Sequence, residues 1–475
     1  MTSTLVTPPT TARGASARPA APPRPRGPRW WKDATGTLTW LSMLIVVALW
    51  VSNGGVQGLF TGAAGLLKGT GQLTGLIASD LLLLQVLLMA RIPWVERAYG
   101  QDELARKHRL VGFGSFTLML AHIVLIVLGY AAGSNSSVLG KLWEMIASYP
   151  GMLLATAGTM ALTMVVVTSI RKARAKLKHE SWHLLHLYAY LGVGLSIPHE
   201  VWTGADFIGS PLARLYWWSL WVAAAGAVLA FRVGLPVWRS LRHRLVVQRV
   251  VTEAPGVVSV HVTGRRLDKL PVRAGQFFVW RFLDGPGWTR GHPYSLSAAP
   301  DGRSLRITVK ALGDDSSKLR RVKPGTKVLV EGPYGRLTGA ARTRRRVTFV
   351  ASGIGITPIR AMLEEFDYSP GEATLIYRTS GTQDIVFRTE LEELARRRGV
   401  TVHHLPGHRN ADPGNWLPGG GVRRDPAGAL LELVPEIARN DVYACGPQTW
   451  MDAVQEAAVR AGARPDRVHL ERFEF

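Results

Sequence analysis

The segment HRLVGFGSFTLMLAH, residues 108–122, decides the fold of this chain. Apart from Arg109 it is uncharged between its two histidines, and an apolar run continues from residue 110 to residue 130. At about 1.5 Å per residue, this run is long enough as a helix to cross the roughly 30 Å hydrocarbon core of a bilayer. The segment therefore predicts a membrane-spanning helix that carries two histidines.

Six apolar runs of this kind, including this one, fill the first half of the chain. They are residues 38–51, 73–90, 110–130, 152–170, 182–197 and 215–233. Buried helices of a large soluble bundle are the alternative, but six such runs in succession argue against them. We predict a six-helix transmembrane bundle over residues 35–240.

The basic residues predict the orientation of this bundle. The chain has 57 Lys and Arg against 34 Asp and Glu, and they concentrate in residues 91–109, 171–178 and 232–244. Basic loops remain on the cytoplasmic side, which predicts a plasma-membrane protein with cytoplasmic N- and C-termini. Topology thus explains the net charge of +23, and nucleic-acid binding loses its support. Residues 1–34 are predicted to be a disordered basic tail.

Four histidines in the predicted spans suggest a metal-binding function. His108 and His122 are 14 residues apart, and His186 and His199 are 13 apart on a span of the same direction. The members of each pair are separated by about 20 Å along their helix, so the two helices offer matched histidines at two depths. Such bis-imidazole layers predict two b-type haems. Zinc or copper is the alternative, and His183 competes with His186 as the inner ligand.

The hydrophobic pattern of the sequence changes after residue 244. Short alternating segments punctuated by Gly and Pro predict an antiparallel β-barrel over residues 241–343. Between residues 344 and 475, apolar strands alternate with helices, which predicts a doubly wound parallel sheet. One cysteine in the sequence excludes a disulfide framework and a cysteine-ligated iron–sulfur cluster.

Several motifs in this half predict nucleotide binding. His292-Pro293-Tyr294-Ser295 offers groups to stack on and bond a flat heterocycle, and Lys310 with Ser316 offers a cation and a hydroxyl to a pyrophosphate. Residues 351–358, ASGIGITP, follow a strand and open a helix, where glycines let backbone N–H groups approach phosphates. Cys445-Gly446-Pro447 follows the last strongly apolar strand, at the edge where such sheets bind ligands.

The ordered set of motifs resembles a known family. H-P-Y-S, G-P-Y-G, G-I-G-I-T-P and C-G-P, in this order, are similar to the ferredoxin–NADP reductase superfamily, whose members bind FAD on a barrel and NAD(P)H on a Rossmann-like domain. The histidine pairs, with Trp182 four residues before His186, resemble the ferric reductase-like transmembrane domain. Joined over residues 35–475, the two resemble the NADPH oxidase and ferric reductase family.

The resemblance implies a role for each matching residue. The inner haem would bind His108 and His186, and the outer haem would bind His122 and His199. The residues implied to contact FAD are His292, Pro293, Tyr294, Ser295, Lys310 and Ser316. Those implied to contact the nicotinamide dinucleotide are Gly353, Gly355, Thr357, Pro358, Cys445, Gly446 and Pro447. Glu471 and Phe473 match a C-terminal E-x-F, and Phe475 is implied to cover the flavin ring.

The function expected from these features is transmembrane electron transfer from cytoplasmic NAD(P)H, through FAD and two haems, to dioxygen or a ferric chelate. The alternatives are transfer to a quinone or a periplasmic redox partner, and a haem-free membrane scaffold. Departures from the oxidase branch put dioxygen in doubt, because Ile126 replaces a further histidine and the loop at 200–214 is short. No docking segment for a regulatory subunit is evident.

Arg378 and Ser380 predict the choice of coenzyme. They follow the second strand of the nucleotide domain, close to where such folds hold the adenosine ribose. An acid there would bind the 2′-hydroxyl of NADH, but the nearest acid is Asp384. A guanidinium suits the 2′-phosphate of NADPH, so NADPH is the predicted coenzyme.

Overall fold

The computed structural model describes residues 30–134, 136–177, 179–285, 287–419 and 425–471. Most of the predicted tail lies outside these residues, as do Phe473 and Phe475. The tail was predicted to reach residue 34, but a helix already begins at Trp30. Hydrogen bonds hold this first turn, since Thr35 Oγ1 donates to the carbonyl of Trp31 at 2.9 Å and Tyr99 Oη donates to that of Lys32 at 2.9 Å.

The first half of the described chain is helical. Its elements are α1 (Trp30–Ser52), α2 (Gly55–Leu59), α3 (Ala63–Met89), α4 (Pro93–Tyr99), α5 (Gln101–Ser134), α6 (Val138–Ser148), α7 (Met152–Ser169), α8 (Arg171–Arg174), α9 (His179–Thr203), α10 (Ala205–Gly209), α11 (Pro211–Ala227) and α12 (Leu235–His243). A π-helical segment, Val228–Gly234, joins α11 to α12 without a break.

Five of these helical segments are long and apolar enough to cross a membrane: α1, α3, α5, α7 and the continuous rod Pro211–His243. This supports a membrane-embedded N-terminal region. Helix α9 has 25 residues but is not among the five. Its histidines and Glu200 lower its mean hydropathy, so the sixth crossing remains a prediction.

Glycines let the histidine-bearing helices pack closely against their neighbours. A Cβ on Gly71 of α3 would lie 2.9 Å from Ile126 of α5. Between α7 and α9, a Cβ on Gly158 would lie 2.8 Å from the carbonyl oxygen of Gly192. Small residues at such crossings bring helix backbones together within a bilayer. The helices therefore pack as two tight pairs, α3 with α5 and α7 with α9.

An antiparallel sheet follows the helices, as predicted. Its strands are β1 (Leu245–Ala254), β2 (Val257–Thr263), β3 (Phe277–Phe282), β4 (His292–Ser295), β5 (Ser304–Lys310) and β6 (Lys327–Tyr334), in the order β4-β3-β6-β1-β2-β5. An isolated bridge joins Leu296, after β4, to Ile307 of β5. Closure into a barrel remains a prediction. A short helix, α13 (Asp314–Lys318), follows β5.

The second sheet is parallel, which confirms the predicted α/β unit. Its strands are β7 (Val347–Ser352), β8 (Ala373–Thr379), β9 (Thr401–Pro406), β10 (Asp441–Cys445) and β11 (Val468–Leu470), in the order β11-β10-β7-β8-β9. The accompanying helices are α14 (Ile356–Glu365), α15 (Arg388–Arg398), α16 (Pro426–Leu433) and α17 (Gln448–Arg460). All six residues of β7 are buried, as expected for a central strand covered on both faces.

The antiparallel sheet packs against one end of the helical region. Arg336, after β6, donates to the carbonyl of Tyr99 at 2.8 Å, and Arg239 of α12 donates to the carbonyl of Gly332. The Arg91 guanidinium lies 4.2 Å from the ring centroid of Tyr334. The segment between α3 and α5, which the charge pattern predicts to be cytoplasmic, thus contacts residues 245–471, the predicted reductase half.

Candidate functional site

The four histidines come together as two facing pairs. His108 of α5 faces His186 of α9 with ring centroids 5.9 Å apart, and His122 faces His199 with centroids 6.3 Å apart. Helix α9 remains helical through Pro198, which the spacing of 13 had singled out as a source of distortion. The pairing by depth that the sequence predicts is therefore the arrangement in the structure.

Hydrogen bonds orient the rings of these histidines. The Nδ1 atom of His122 donates to the carbonyl of Gly71 at 2.8 Å, and that of His108 donates to Gln85 at 3.3 Å. Thr203 donates its own hydrogen to the His199 carbonyl, so Nδ1 of His199 donates to the Thr203 hydroxyl at 2.7 Å. In these three rings Nε2 keeps its lone pair, the form that binds a metal.

The geometry of both pairs fits a metal held between two imidazoles. An imidazole nitrogen binds a metal at about 2.0–2.1 Å, so two rings on opposite sides of one metal have centroids roughly 6 Å apart. Both centroid distances match this value. A four-ligand zinc shell does not fit, because no group of three or more His, Cys, Asp or Glu side chains converges among the described residues.

The rings of both pairs line a single cavity of about 1880 Å³. Ordinary ligand pockets measure about 300–1,000 Å³, so this cavity has room for large groups at both levels. Its walls are mostly apolar, and His183 also lines it. The histidine that faces His108 is nevertheless His186. At one end the cavity reaches Phe277, Gln448 and Glu471 of the reductase half.

The cavity requires a glycine at position 75. A Cβ there would lie 2.4 Å from Nδ1 of His122, closer than real Cβ contacts come. We expect Gly75→Ala to push the ring away, break its bond to Gly71 and remove the spectroscopic signal of an outer haem. Reduced-minus-oxidised absorption spectra of the purified variant measure this loss. Gly114→Ala is the matched control, because its Cβ meets nothing within 4 Å. Full haem content in both variants would contradict the arrangement.

The predicted flavin residues lie on β4 and β5, the two edge strands of the antiparallel sheet, and in the segment after β5. The rings of His292 and Tyr294 stack with centroids 6.0 Å apart, and Ser295 is buried at the end of β4. Lys310 is exposed at the end of β5. The Ser316 hydroxyl accepts from the backbone N–H of Leu312 and Gly313. This hydroxyl therefore organises the loop after β5.

Three strand ends form the predicted dinucleotide edge. In the register of the parallel sheet, Cys445 pairs with Ala351 and Ser352 pairs with Arg378. The carboxyl ends of β10, β7 and β8 are therefore adjacent. The chain leaves β7 toward β8 on one side, while β10 lies on the other. Such a switch point is where open α/β sheets bind ligands.

Cys445 is a buried thiol at this edge. Its side chain is 3% exposed and belongs to the core around Phe349 and Tyr443. Burial and, secondarily, the nearby Glu471 raise the pKa of the Cys445 thiol to about 12. It is therefore a neutral thiol, without the thiolate character of a nucleophile. Its backbone contacts the glycine loop, since a Cβ on Gly355 would lie 2.2 Å from the Cys445 carbonyl oxygen.

Arg378 is a buried cation with unused hydrogen-bonding capacity. It is 8% exposed, its Nη1 donates to the Ser352 hydroxyl at 3.3 Å, and its Nε has no partner among the described residues. Burial, and then the neighbouring Arg409, lower the pKa of Arg378. Ser380 is exposed beside it. Two guanidinium groups and a hydroxyl at one strand end favour an anionic ligand.

Several residues at the site were not predicted from the sequence. Gly71 and Gly75 make room for the ring of His122. Leu142 and Met145 of α6 line the cavity, and Gln448 lines it from the reductase half. The four-residue spacing of Gly71 and Gly75 on one helix face was the available signal for the glycines. No local signal marks α6 or Gln448, because their role arises from contacts between distant parts of the chain.

Comparisons with known proteins agree with the two halves of the fold. Residues 74–197 match the family described as ferric reductase like transmembrane component, and residues 349–456 match the oxidoreductase NAD-binding domain. Ferredoxin–NADP reductase B of Sorangium cellulosum is 30% identical over 228 residues, which cover 42% of this chain and 85% of that protein.

Two further similar proteins also match about half of this chain. The glycine betaine monooxygenase reductase subunit of Chromohalobacter salexigens is 28% identical over 244 residues, 50% of this chain and 65% of that protein. The FAD/NAD-binding domain of a nitric oxide dioxygenase from Vibrio cholerae is 25% identical, with a TM-score of 0.40 over 49% of this chain and 99% of that one. The chain belongs to the family that joins a ferric reductase-like transmembrane component to a ferredoxin–NADP reductase-type FAD and NAD(P)H module, and it is a membrane oxidoreductase.

Proposed function

We propose that this oxidoreductase carries electrons from cytoplasmic NAD(P)H through FAD and two b-type haems to an acceptor on the other side of the plasma membrane. The observation that carries the proposal is the continuity of one cavity, from both histidine pairs to Phe277, Gln448 and Glu471 of the reductase half. A haem-free scaffold would not require a cavity of this size between two pairs of oriented imidazoles.

In this proposal each part of the chain binds one carrier. His108 with His186, and His122 with His199, would hold the haems. His292, Tyr294 and Ser295 hold the flavin ring, and Lys310 and the loop organised by Ser316 hold its phosphates. When bound, these groups supply conversion of a hydride into single electrons at the flavin and one-electron carriage at the haems.

The sheet edge would bind the nicotinamide dinucleotide. Gly353, Gly355, Thr357 and Pro358 open α14, and backbone N–H groups at a helix start can face a phosphate. Cys445, Gly446 and Pro447 border the same crevice from β10, where the neutral thiol would pack against the nicotinamide ring. Phe473 and Phe475, which lie outside the described residues, keep their implied role over the flavin as part of this proposal.

Helix α6 forms part of the cavity wall that an external acceptor would approach. Its inner face places Leu142, Met145 and Ile146 on the cavity wall, while Leu139 and Trp143 are 78% and 71% exposed on the opposite face. Helix α6 therefore lines the end of the cavity that is predicted to be external. The sequence alone points only to the loop at 200–214 as a cover for this end. The acceptors proposed are dioxygen, giving superoxide, and a ferric chelate.

The direct test uses purified, detergent-solubilised protein reconstituted with haem and FAD. A dithionite-reduced spectrum with the sharp, split bands of bis-histidine haem, at two haems per chain, is the expected result. NADPH oxidation should then depend on dioxygen or a ferric chelate, and superoxide dismutase distinguishes the two acceptors. One haem or none per chain would overturn the two-haem proposal.

Coenzyme choice provides a separate prediction. A charge-assisted contact between the 2′-phosphate and Arg378 contributes about 1.5–3 kcal/mol, which is a preference for NADPH of roughly tenfold to a hundredfold. We expect Arg378→Ala to raise the KM for NADPH by this factor and to leave the KM for NADH nearly unchanged. Steady-state kinetics with both coenzymes measure it, and Arg388→Ala is the control. Equal KM values in the parent protein would refute the preference.

A further inference from the structure

Three oxygen atoms from three helices meet inside the helical region, away from the histidines. Asp80 of α3 is fully buried, and its Oδ1 atom lies 2.7 Å from Ser42 Oγ of α1 and 2.8 Å from Tyr216 Oη of α11. The two hydroxyl oxygens are 2.7 Å from each other. All three sides of this triangle have the length of an O–H···O hydrogen bond.

Counting hydrogens assigns a proton to Asp80. Each side of the triangle needs one hydrogen, and the hydroxyls of Ser42 and Tyr216 supply one each. With an ionised Asp80, one pair of oxygens would be in contact without a hydrogen between them. When all three sides are hydrogen bonds, the third hydrogen belongs to the carboxyl group, so the arrangement observed is that of the protonated site. A neutral Asp80 also agrees with its place in a membrane-spanning helix, because an isolated charge is costly inside a membrane.

The carboxyl group has a second arrangement available. Its Oδ2 atom is buried and has no partner among the described residues. Without the proton, the carboxylate has two oxygens for two hydroxyl donors, so Ser42 and Tyr216 no longer need to contact each other. Two donors to the ionised form favour that form, while burial favours the neutral form. Both protonation states of Asp80 therefore have hydrogen-bond partners in this geometry.

The trio lies behind the wall of the cavity that the histidines line. Ala78, Ser79 and Leu82 on α3 face the cavity, and Asp80 is on the same turn but faces α1 and α11. A charge change in the cavity would act on Asp80 through a short, low-dielectric layer, where electrostatic interactions are strong.

Few other ionisable groups share this region of the described structure. Besides Tyr216 and the histidines that line the cavity, the elements around Asp80 bring Glu200 of α9, which accepts from Ser79 at 2.9 Å, and Asp206 of α10, which accepts from Asn53. Arg214 of α11 is exposed. On α1, Lys32 and Asp33 lie more than about 13 Å from Ser42 along the helix axis, because the helix rises about 1.5 Å per residue. Glu200 is therefore the competing acid.

We propose that Asp80, Ser42 and Tyr216 form a proton-binding site that takes up one proton when the neighbouring cavity takes up one electron. The electron comes from NAD(P)H through the flavin, and the proton comes from water and converts the Asp80 carboxylate to the acid. The charge of the membrane interior then stays unchanged. The redox half of this proposal rests on the proposed haem sites, whereas the proton-binding half does not.

The test is a spectroelectrochemical titration of the haem-loaded protein at several pH values. The midpoint potential of at least one haem should fall with rising pH, by at most 59 mV per pH unit, the shift equivalent to tenfold for one electron. Asp80→Asn keeps the shape of the side chain but cannot exchange this proton, and it should lose the slope. An equal slope in parent and Asp80→Asn, or a slope lost in Glu200→Gln alone, would overturn the proposal.

Infrared difference spectra provide a readout that is independent of turnover. The carbonyl stretch of a protonated carboxyl group should appear on reduction in the parent and in the control Glu144→Gln, and should be absent in Asp80→Asn. If Asp80→Asn does not fold, Tyr216→Phe, which removes one hydrogen of the triangle, should shift the pH range of the slope, and no shift counts against the site. If no haem binds, the proposed function fails. A pH titration of the carboxyl band then still decides whether Asp80 binds a proton.

Discussion

Replacing His186 with alanine is expected to abolish electron transfer from NADPH to any external acceptor while NADPH still reduces the flavin. His186 faces His108 at 5.9 Å, and no other described histidine faces His108 in this way. Losing a group that only orients a ligand costs about 10–100-fold in metal affinity, so losing the ligand itself should cost more than a hundredfold. The inner haem should therefore be absent from His186→Ala.

Three measurements on one preparation of His186→Ala check this result. Haem content comes from the reduced spectrum, flavin bleaching by NADPH comes from anaerobic stopped flow, and acceptor reduction comes from steady-state assays. His183→Ala is the matched control, because this histidine lies on the same helix and lines the same cavity. If His183→Ala loses a haem while His186→Ala keeps two, the inner ligand has been assigned to the wrong histidine.

Gly355→Ala is expected to slow flavin reduction by NADPH about a hundredfold, while haem content stays at the parent level. A Cβ on Gly355 would lie 2.2 Å from the carbonyl oxygen of Cys445 and 2.9 Å from the backbone nitrogen of Gly446. Backbone atoms must therefore move apart at the point where the strand ends of β7 and β10 meet. A misplacement of about 1 Å in a reacting pair can cost about 10²-fold in rate.

Gly371→Ala separates this close contact from the general effect of replacing a glycine in the nucleotide domain. Gly371 has a φ of 78°, but a Cβ there would meet no atom within 4 Å. Its replacement costs about 1–2 kcal/mol of backbone strain without displacing β10, so flavin reduction should remain within several-fold of the parent. Anaerobic stopped-flow traces of flavin absorbance measure both variants. Equal rates in Gly355→Ala and the parent would mean that the two strand ends do not form the hydride-transfer site.

Much of the architecture could be predicted because its signals are local. The apolar runs, the alternating strands and the glycine motifs each depend on residues close together in the chain. The spacing of apolar residues in such a short window indicates its secondary structure. The pairing of His108 with His186 was predictable for the same reason, since helical rise converts a spacing into a depth. Helix α9 is the exception, because its histidines weaken the signal for a sixth span.

The sequence by itself determined that the chain has a helical membrane region with histidines at two depths, followed by a flavin and nucleotide module. Only the tertiary structure decided that Gly75 makes room for His122, that Arg378 lies near Arg409, and that Ser42, Asp80 and Tyr216 form one hydrogen-bonded triangle. These contacts join residues up to 174 positions apart. No periodicity encodes them, because they exist only once separate helices and strands have packed together.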